Sequence, residues 1–179
     1  MLSKSVTLPL QADSDEMKSL RCGEPVYLSG YIYSARDAAH AKFKELLKSG
    51  CRLPMDMPAC IYYAGPCPAA PGEIVGPCGP TTSSRMDPYT PMLIDYGLTA
   101  MIGKGARSSE VKRAMKGKAV YFAATGGAGL LIASCIRSVD VIAFPELGAE
   151  AVRLMRIEDM PAIVAIDYDG NDLYNINRD

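Results

Sequence analysis

Several things are missing from this 179-residue chain, and each absence excludes a class of function. No apolar run approaches the ~20 residues a membrane-spanning helix needs, and no signal-peptide apolar region opens the chain, so a cytoplasmic protein is expected. Charge of one sign is missing too. Nineteen Lys and Arg nearly balance twenty Asp and Glu, and they are scattered without a basic block, so neither nucleic acid nor a membrane surface is an expected partner. His40 is the only histidine, which nearly excludes Ser-His-Asp catalysis and histidine-rich metal centres. The six cysteines, at 22, 51, 60, 67, 78 and 135, contain no C-x-x-C pair. Reduced thiols, several of them small core residues, are the plain reading. A cluster held by Cys60, Cys67 and Cys78 is the other, although that spacing matches no general ligand pattern.

Nucleotide-loop signatures are also absent. Gly103-Lys104-Gly105 is no phosphate-cradling loop, because the residue five before Gly103 is Leu98 rather than glycine. Thr125 to Gly129 lacks the Gly-x-Gly-x-x-Gly spacing and reads as a tight strand-to-helix turn. Asp169-Gly170-Asn171-Asp172 resembles part of a calcium loop without its distal glutamate, and reads as a hairpin turn.

What is present alternates. Strands are predicted around Val6–Leu8, over Val26–Tyr33, Ala59–Ala64, Leu98–Ile102, Ala119–Ala123 and Val139–Phe144. Further strand pattern runs over Val152–Glu158 and Ile163–Asp167. Asp13 or Ser14 is expected to cap a short helical turn, and Ser34 with Asp37 to cap a helix that Gly50 stops. Asp87-Pro88 reads as another helix start, Gly97 as its end, and Ser108 or Ser109 as a third cap. An apolar helix is expected from the glycine-rich turn through Ile136. The pattern predicts one α/β domain over residues 1–179, with mixed pairing toward the C-terminus.

The chemistry concentrates in Gly79-Pro80-Thr81-Thr82-Ser83-Ser84-Arg85-Met86-Asp87. Four hydroxyls precede a helix start, where one would suffice as a cap, and Arg85 adds a fork suited to a carboxylate. Lys104, between two glycines, is a cation on a backbone that a ligand can approach closely. Arg36 shares a helical face with His40, Ala39 and Phe43, and as a first-turn cation it opposes the helix dipole. Either an anion relieves that conflict, or Arg36 pairs with Asp37 or a nearby loop. His40 is either a titrating member of the site or a hydrogen-bonded packing residue.

These motifs, with Leu28-Ser29-Gly30, Ala35 to His40, Tyr62 to Pro66, Tyr121 to Gly127, Pro145 to Ala151 and Gly170 to Tyr174, together resemble the β subunit of iron–sulfur hydro-lyases, class I fumarase and L-tartrate dehydratase. The resemblance implies a swivelling β/β/α domain, a central mixed sheet flanked by helices. It implies a two-subunit [4Fe–4S] enzyme that reversibly dehydrates a 2-hydroxydicarboxylate, (S)-malate to fumarate, with L-tartrate dehydration as the alternative. A non-catalytic anion-binding or scaffold domain of the same fold is the other class of reading. Carried over by motif, Thr81 would be the catalytic base, Arg36, Arg85 and Lys104 would bind substrate, and His40, Thr82 and Asp37 would support them. The cluster would be carried by a partner α subunit, since the chain begins almost at the β domain, and no metal is expected in this chain alone. Homo-association of β subunits is a further expectation.

Overall fold

The computed structural model describes residues 4–175. In chain order the elements are β1 (Lys4–Leu8), α1 (Asp15–Ser19), β2 (Pro25–Ser34), α2 (Asp37–Lys48) and β3 (Ala59–Tyr62). A 3₁₀ turn (Ser83–Met86) follows, then α3 (Thr90–Tyr96), β4 (Leu98–Gly103), α4 (Ser109–Met115) and β5 (Val120–Ala123). The chain continues with α5 (Gly129–Ser134), β6 (Ile136–Ala143), a second 3₁₀ segment (Pro145–Glu150) and β7 (Val152–Ile166).

β1 through β5 run parallel, each beside the next. β7 runs antiparallel to β5, β6 and β2. Because one edge of β7 takes β2 while the other takes β5, the mixed sheet closes into a five-stranded barrel, β2-β3-β4-β5-β7. The α/β expectation matches the chain, and closure is what the strand pattern did not announce. It depends on the 15-residue β7, read from the sequence as two segments around Pro161. Pro161 interrupts nothing, since it sits opposite Tyr27 in a register that runs on to Ile163.

Alternation along each strand divides the core in two. Leu28, Ile32, Cys60, Tyr62, Ile102, Phe122 and Val164 belong to one apolar layer, joined by Leu10, Met17 and Leu20. Tyr33, Ile61, Tyr63, Met101 and Tyr121 face the other, against Phe43 of α2, Leu93 of α3 and Val111 of α4. Each large side chain fully buried here is worth about 1.5–3 kcal/mol. Together they hold the strand ends in fixed relation.

Element boundaries differ from expectation in three places. Ser34 ends β2 and caps nothing; α2 opens with Arg36 at its N-cap and no side-chain cap. A distant residue supplies the acceptor instead, because the Ala38 amide donates to the Glu150 carboxylate at 2.6 Å. Asp87-Pro88 does not start α3, which begins at Thr90 after Tyr89 with Pro91 in its first turn. The helix expected through Ile136 ends at Ser134, where β6 takes over. Ser14 and Ser108 do cap α1 and α4. Gly50, Gly97 and Gly170 all have positive φ, as their turns require.

Candidate active site

The parallel strands β2 to β5 deliver their carboxyl ends to one end of the barrel. Here β2 leads to Arg36, β3 to Tyr63 and Gly65, β4 to Lys104, and β5 to Thr125 and Gly126. The hydroxyl-rich segment is laid across this end. Thr81 N–H donates to Tyr63 O at 2.7 Å, Thr82 forms a parallel bridge with Lys104, and Ser83 N–H donates to Lys104 O at 2.9 Å. The Thr81 turn and the Lys104 loop are therefore joined through the backbone.

Gly103 makes this approach possible. A Cβ there would lie 2.0 Å from Ser83 Oγ and 2.8 Å from Tyr63 Cδ2, distances no real side chain tolerates. The stem of Lys104 passes Gly126, where an added Cβ would touch its Cδ at 3.8 Å. Lys104 is exposed and joins no salt bridge among the described residues.

The four hydroxyls have different roles. Thr81 Oγ1 accepts from Arg85 Nη2 at 2.5 Å. Thr82 is exposed at the N-cap of the 3₁₀ turn and makes no capping bond. Ser83 is buried, its hydroxyl bonded to Tyr121 OH at 2.9 Å, and Tyr121 OH donates onward to Gly105 O. Ser84 is exposed.

Asp37 binds both arginines. Arg85 grips it side-on, Nε to Oδ1 at 3.0 Å and Nη2 to Oδ2 at 3.1 Å. Arg36 Nε lies 3.3 Å from Asp37 Oδ2 and 3.3 Å from Glu150 Oε1. Partial burial raises the Asp37 pKa, but its own backbone amide, the Arg85 charge and hydrogen bonds from both guanidiniums outweigh it and hold the carboxyl below its usual range. Arg36 therefore does pair with Asp37 and with a loop, as the plainer reading had it. Its Nε edge is anchored, and the Nη end makes no hydrogen bond among the described residues. Gly65 leaves that side chain its room, since a Cβ there would meet Arg36 Cδ at 3.1 Å.

His40 is a packing residue. It is fully buried against Phe43, Tyr63 and Tyr89, with Nδ1 2.9 Å from Arg36 O and Nε2 unpartnered. Burial pushes its pKa down to about 4, so the ring is neutral at pH 7 rather than titrating there. Thr81, Arg85, Asp37 and Arg36 thus form one connected cluster, with Lys104 tied to it through the backbone.

Two contributors were not picked out as site residues from the sequence, although Glu150 lies within the Pro145–Ala151 motif. Glu150 reaches Arg36 and α2 from 112 residues away. Arg107 lies buried between the rings of Tyr63 and Tyr121, its charge centre 5.2 and 5.1 Å from their centroids. Its guanidinium donates to Asp87 at 2.6 Å, while Ser108 N–H donates to the other oxygen of that carboxylate at 2.7 Å. The cysteines form no comparable set. Cys60 and Cys78 are buried, and burial raises both thiols, Cys78 to about 12, whereas Cys67 is exposed. Among the described residues no three His, Cys, Asp or Glu side chains are grouped closely enough to hold a metal ion. No helix there is long and apolar enough to cross a membrane.

A family model described as Fumarase C-terminus matches residues 2–177. Fumarate hydratase 2 of Leishmania major is 39% identical over 171 residues, covering 93% of this chain and 30% of that protein. The anaerobic class I fumarate hydratase of Escherichia coli K12 is 42% identical over 153 residues, 82% of this chain and 28% of the other. A Methanocaldococcus jannaschii protein named "Putative L(+)-tartrate dehydratase subunit beta" is 39% identical over 167 residues, 89% of this chain and 86% of its own length. The chain thus spans under a third of these two fumarate hydratases and most of a protein named as a β subunit.

Proposed function

The chain belongs to the Fumarase C-terminus family, and on that footing we propose that it is the β subunit of a two-subunit hydro-lyase acting on a 2-hydroxydicarboxylate, converting (S)-malate to fumarate and back. The observation that carries the reading is the Thr81 hydroxyl under the Arg85 guanidinium, at the carboxyl edge of the parallel strands. Dehydration removes a proton from carbon 3 and hydroxide from carbon 2, leaving a double bond. Thr81 in its ionised form accepts the proton. An alkoxide is far too basic to persist in water, so it needs cations beside it, and Arg85 at 2.5 Å is one. The free Nη end of Arg36 offers a carboxylate two parallel N–H donors, and Lys104 supplies charge for the developing enolate.

The two arginines, Lys104, Asp37 and Glu150 together leave one positive charge, so a dianionic substrate meets an attractive site. Binding at two carboxylates fixes the scissile C–H against Thr81, which is proximity catalysis. The cysteines here do not fit as cluster ligands. We assign the [4Fe–4S] cluster to an α subunit, where an open iron would act as Lewis acid on the leaving hydroxyl. In this reading residues 1–179 form one cytoplasmic domain that swivels against that partner, with β subunits associating with one another. L-tartrate is the second reading, favoured by the β-subunit relative that matches this chain in size. It differs only in the substituent on carbon 3.

The test is anaerobic reconstitution with the partner, iron and sulfide, followed by malate, fumarate and L-tartrate assays. Turnover by the pair, and none by this chain alone, is expected. Thr81→Ala should lower kcat about 10²–10⁴-fold. Undiminished turnover in that variant would remove Thr81 as base, and a pair inert toward every diacid would favour the scaffold reading.

A further inference from the structure

Arg85 is expected, like Arg36, to clamp a substrate carboxylate, yet its side-on face is already filled. Nε and Nη2 both engage Asp37, and the same Nη2 hydrogen-bonds Thr81 Oγ1. One nitrogen thus carries two acceptors, a carboxylate behind and a hydroxyl in front. Asp37 is itself fixed at the first position of α2, where the helix N-terminus favours an acid. The start of that helix is pinned by Glu150 through Ala38 N–H.

We propose that Asp37 is a positioning residue that locks the Arg85 guanidinium onto Thr81, so that Arg85 serves the base rather than the substrate. The arrangement follows the logic of a catalytic triad, in which a carboxylate orients the group that acts on the reacting oxygen, here at a half-exposed pair. Arg36, held only at its Nε edge, is left as the carboxylate receptor. The inference rests on the hydro-lyase reading for its consequence in catalysis, while the lock itself belongs to this chain alone.

Electrostatics gives the test a sign. A carboxylate near Thr81 opposes ionisation of the hydroxyl, so a merely neighbouring Asp37 predicts that Asp37→Asn speeds the reaction. If Asp37 merely occupies the substrate's place, the same variant tightens diacid binding and lowers KM. A positioning role predicts the reverse. Asn keeps the shape but presents N–H to the Arg85 fork, so kcat should fall about tenfold or more with KM within about threefold. Asp95→Asn, an exposed change on α3, serves as the control that leaves the rate unchanged.

The second measurement needs no partner and no turnover. Side-chain NMR relaxation of the Arg85 Nε–H group in this chain should report an ordered guanidinium in the natural sequence and a mobile one in Asp37→Asn, with Thr81→Val leaving it ordered. A rate in Asp37→Asn equal to or above that of the unmodified pair, or an Arg85 group equally ordered without the carboxylate, overturns the lock. Failure of the unmodified pair to dehydrate any diacid counts against the hydro-lyase reading alone, and the relaxation experiment still decides the lock.

Discussion

Arg107 and Asp87 form an ion pair, Nε to Oδ1 at 2.6 Å, with the arginine side chain wholly shielded and the aspartate one-tenth exposed. The pair joins the residue just past the Ser83–Met86 3₁₀ turn to the loop that follows Lys104, so two loop segments share one buried charge. Arg107 is secured further by Thr90 Oγ1 at 2.7 Å and by the faces of two tyrosines. Such a pair adds little net stability compared with apolar packing, but breaking it strands a charge.

Asp87→Ala should therefore cost about 3–5 kcal/mol, read from urea unfolding midpoints. Asp95→Ala, which breaks the exposed pair with Lys118, should cost no more than about 1 kcal/mol. Equal costs for the two would mean that Arg107 is solvated in solution.

The two glycines around Lys104 should respond differently. Gly103→Ala drives a methyl into Ser83 Oγ and Tyr63, so the Thr81 turn must shift and turnover of the reconstituted pair should fall by an order of magnitude or more. Gly105 has φ +84° with open space around it, so Gly105→Ala should cost about 1 kcal/mol of stability from backbone strain alone. Comparing kcat and unfolding midpoint for each variant separates the two effects.

His40 gives stability a slope against pH. Burial lowers its folded pKa to about 4, below an unfolded value near 6.5, so between those limits the unfolded chain binds the extra proton. Stability is complete above about pH 6.5 and is lost as pH falls toward 4, by about 3 kcal/mol in all. Carboxylates held low, Asp37 among them, add their own loss only at lower pH, as protonation fills them. Unfolding midpoints at pH 7.5 and 5.5 should differ by about 1 kcal/mol, and His40→Leu should abolish the difference.

Thiol reactivity should follow burial. Iodoacetamide applied to the folded chain should modify Cys51 and Cys67, which are exposed, and spare Cys60 and Cys78 until denaturant is added. Peptide mass spectrometry gives the order. Early labelling of Cys78 would show that the 66–80 loop opens, since Tyr62 OH and the Gly129 carbonyl otherwise hold it closed.

The candidate site was legible where its chemistry is local. Thr81 and Arg85 stand four residues apart in one turn, and the glycines around Lys104 advertise a close approach. Arg36 was legible as a conflict with its helix dipole, and the resolution proved to be Asp37 and Glu150 together. Ser34 misled because its spacing to Asp37 imitates a cap, while the strand takes it instead. Asp87 misled for a related reason: its carboxylate is consumed by Arg107 and Ser108, leaving none for a helix start.

The amino-acid order by itself determined the alternation of strands and helices, the two apolar faces of each strand, and the hydroxyl-and-cation turn, because periodicity, capping and glycine turns act within a few residues of chain. Only the tertiary structure decided that β7 closes the sheet into a barrel, that Glu150 caps a helix 112 residues before it, and that Asp37 reaches the Arg85 fork. Those contacts join residues far apart in the chain. Pairing at such distance leaves no local pattern, and it is set by which strand edges and charges remain unsatisfied once the core has packed.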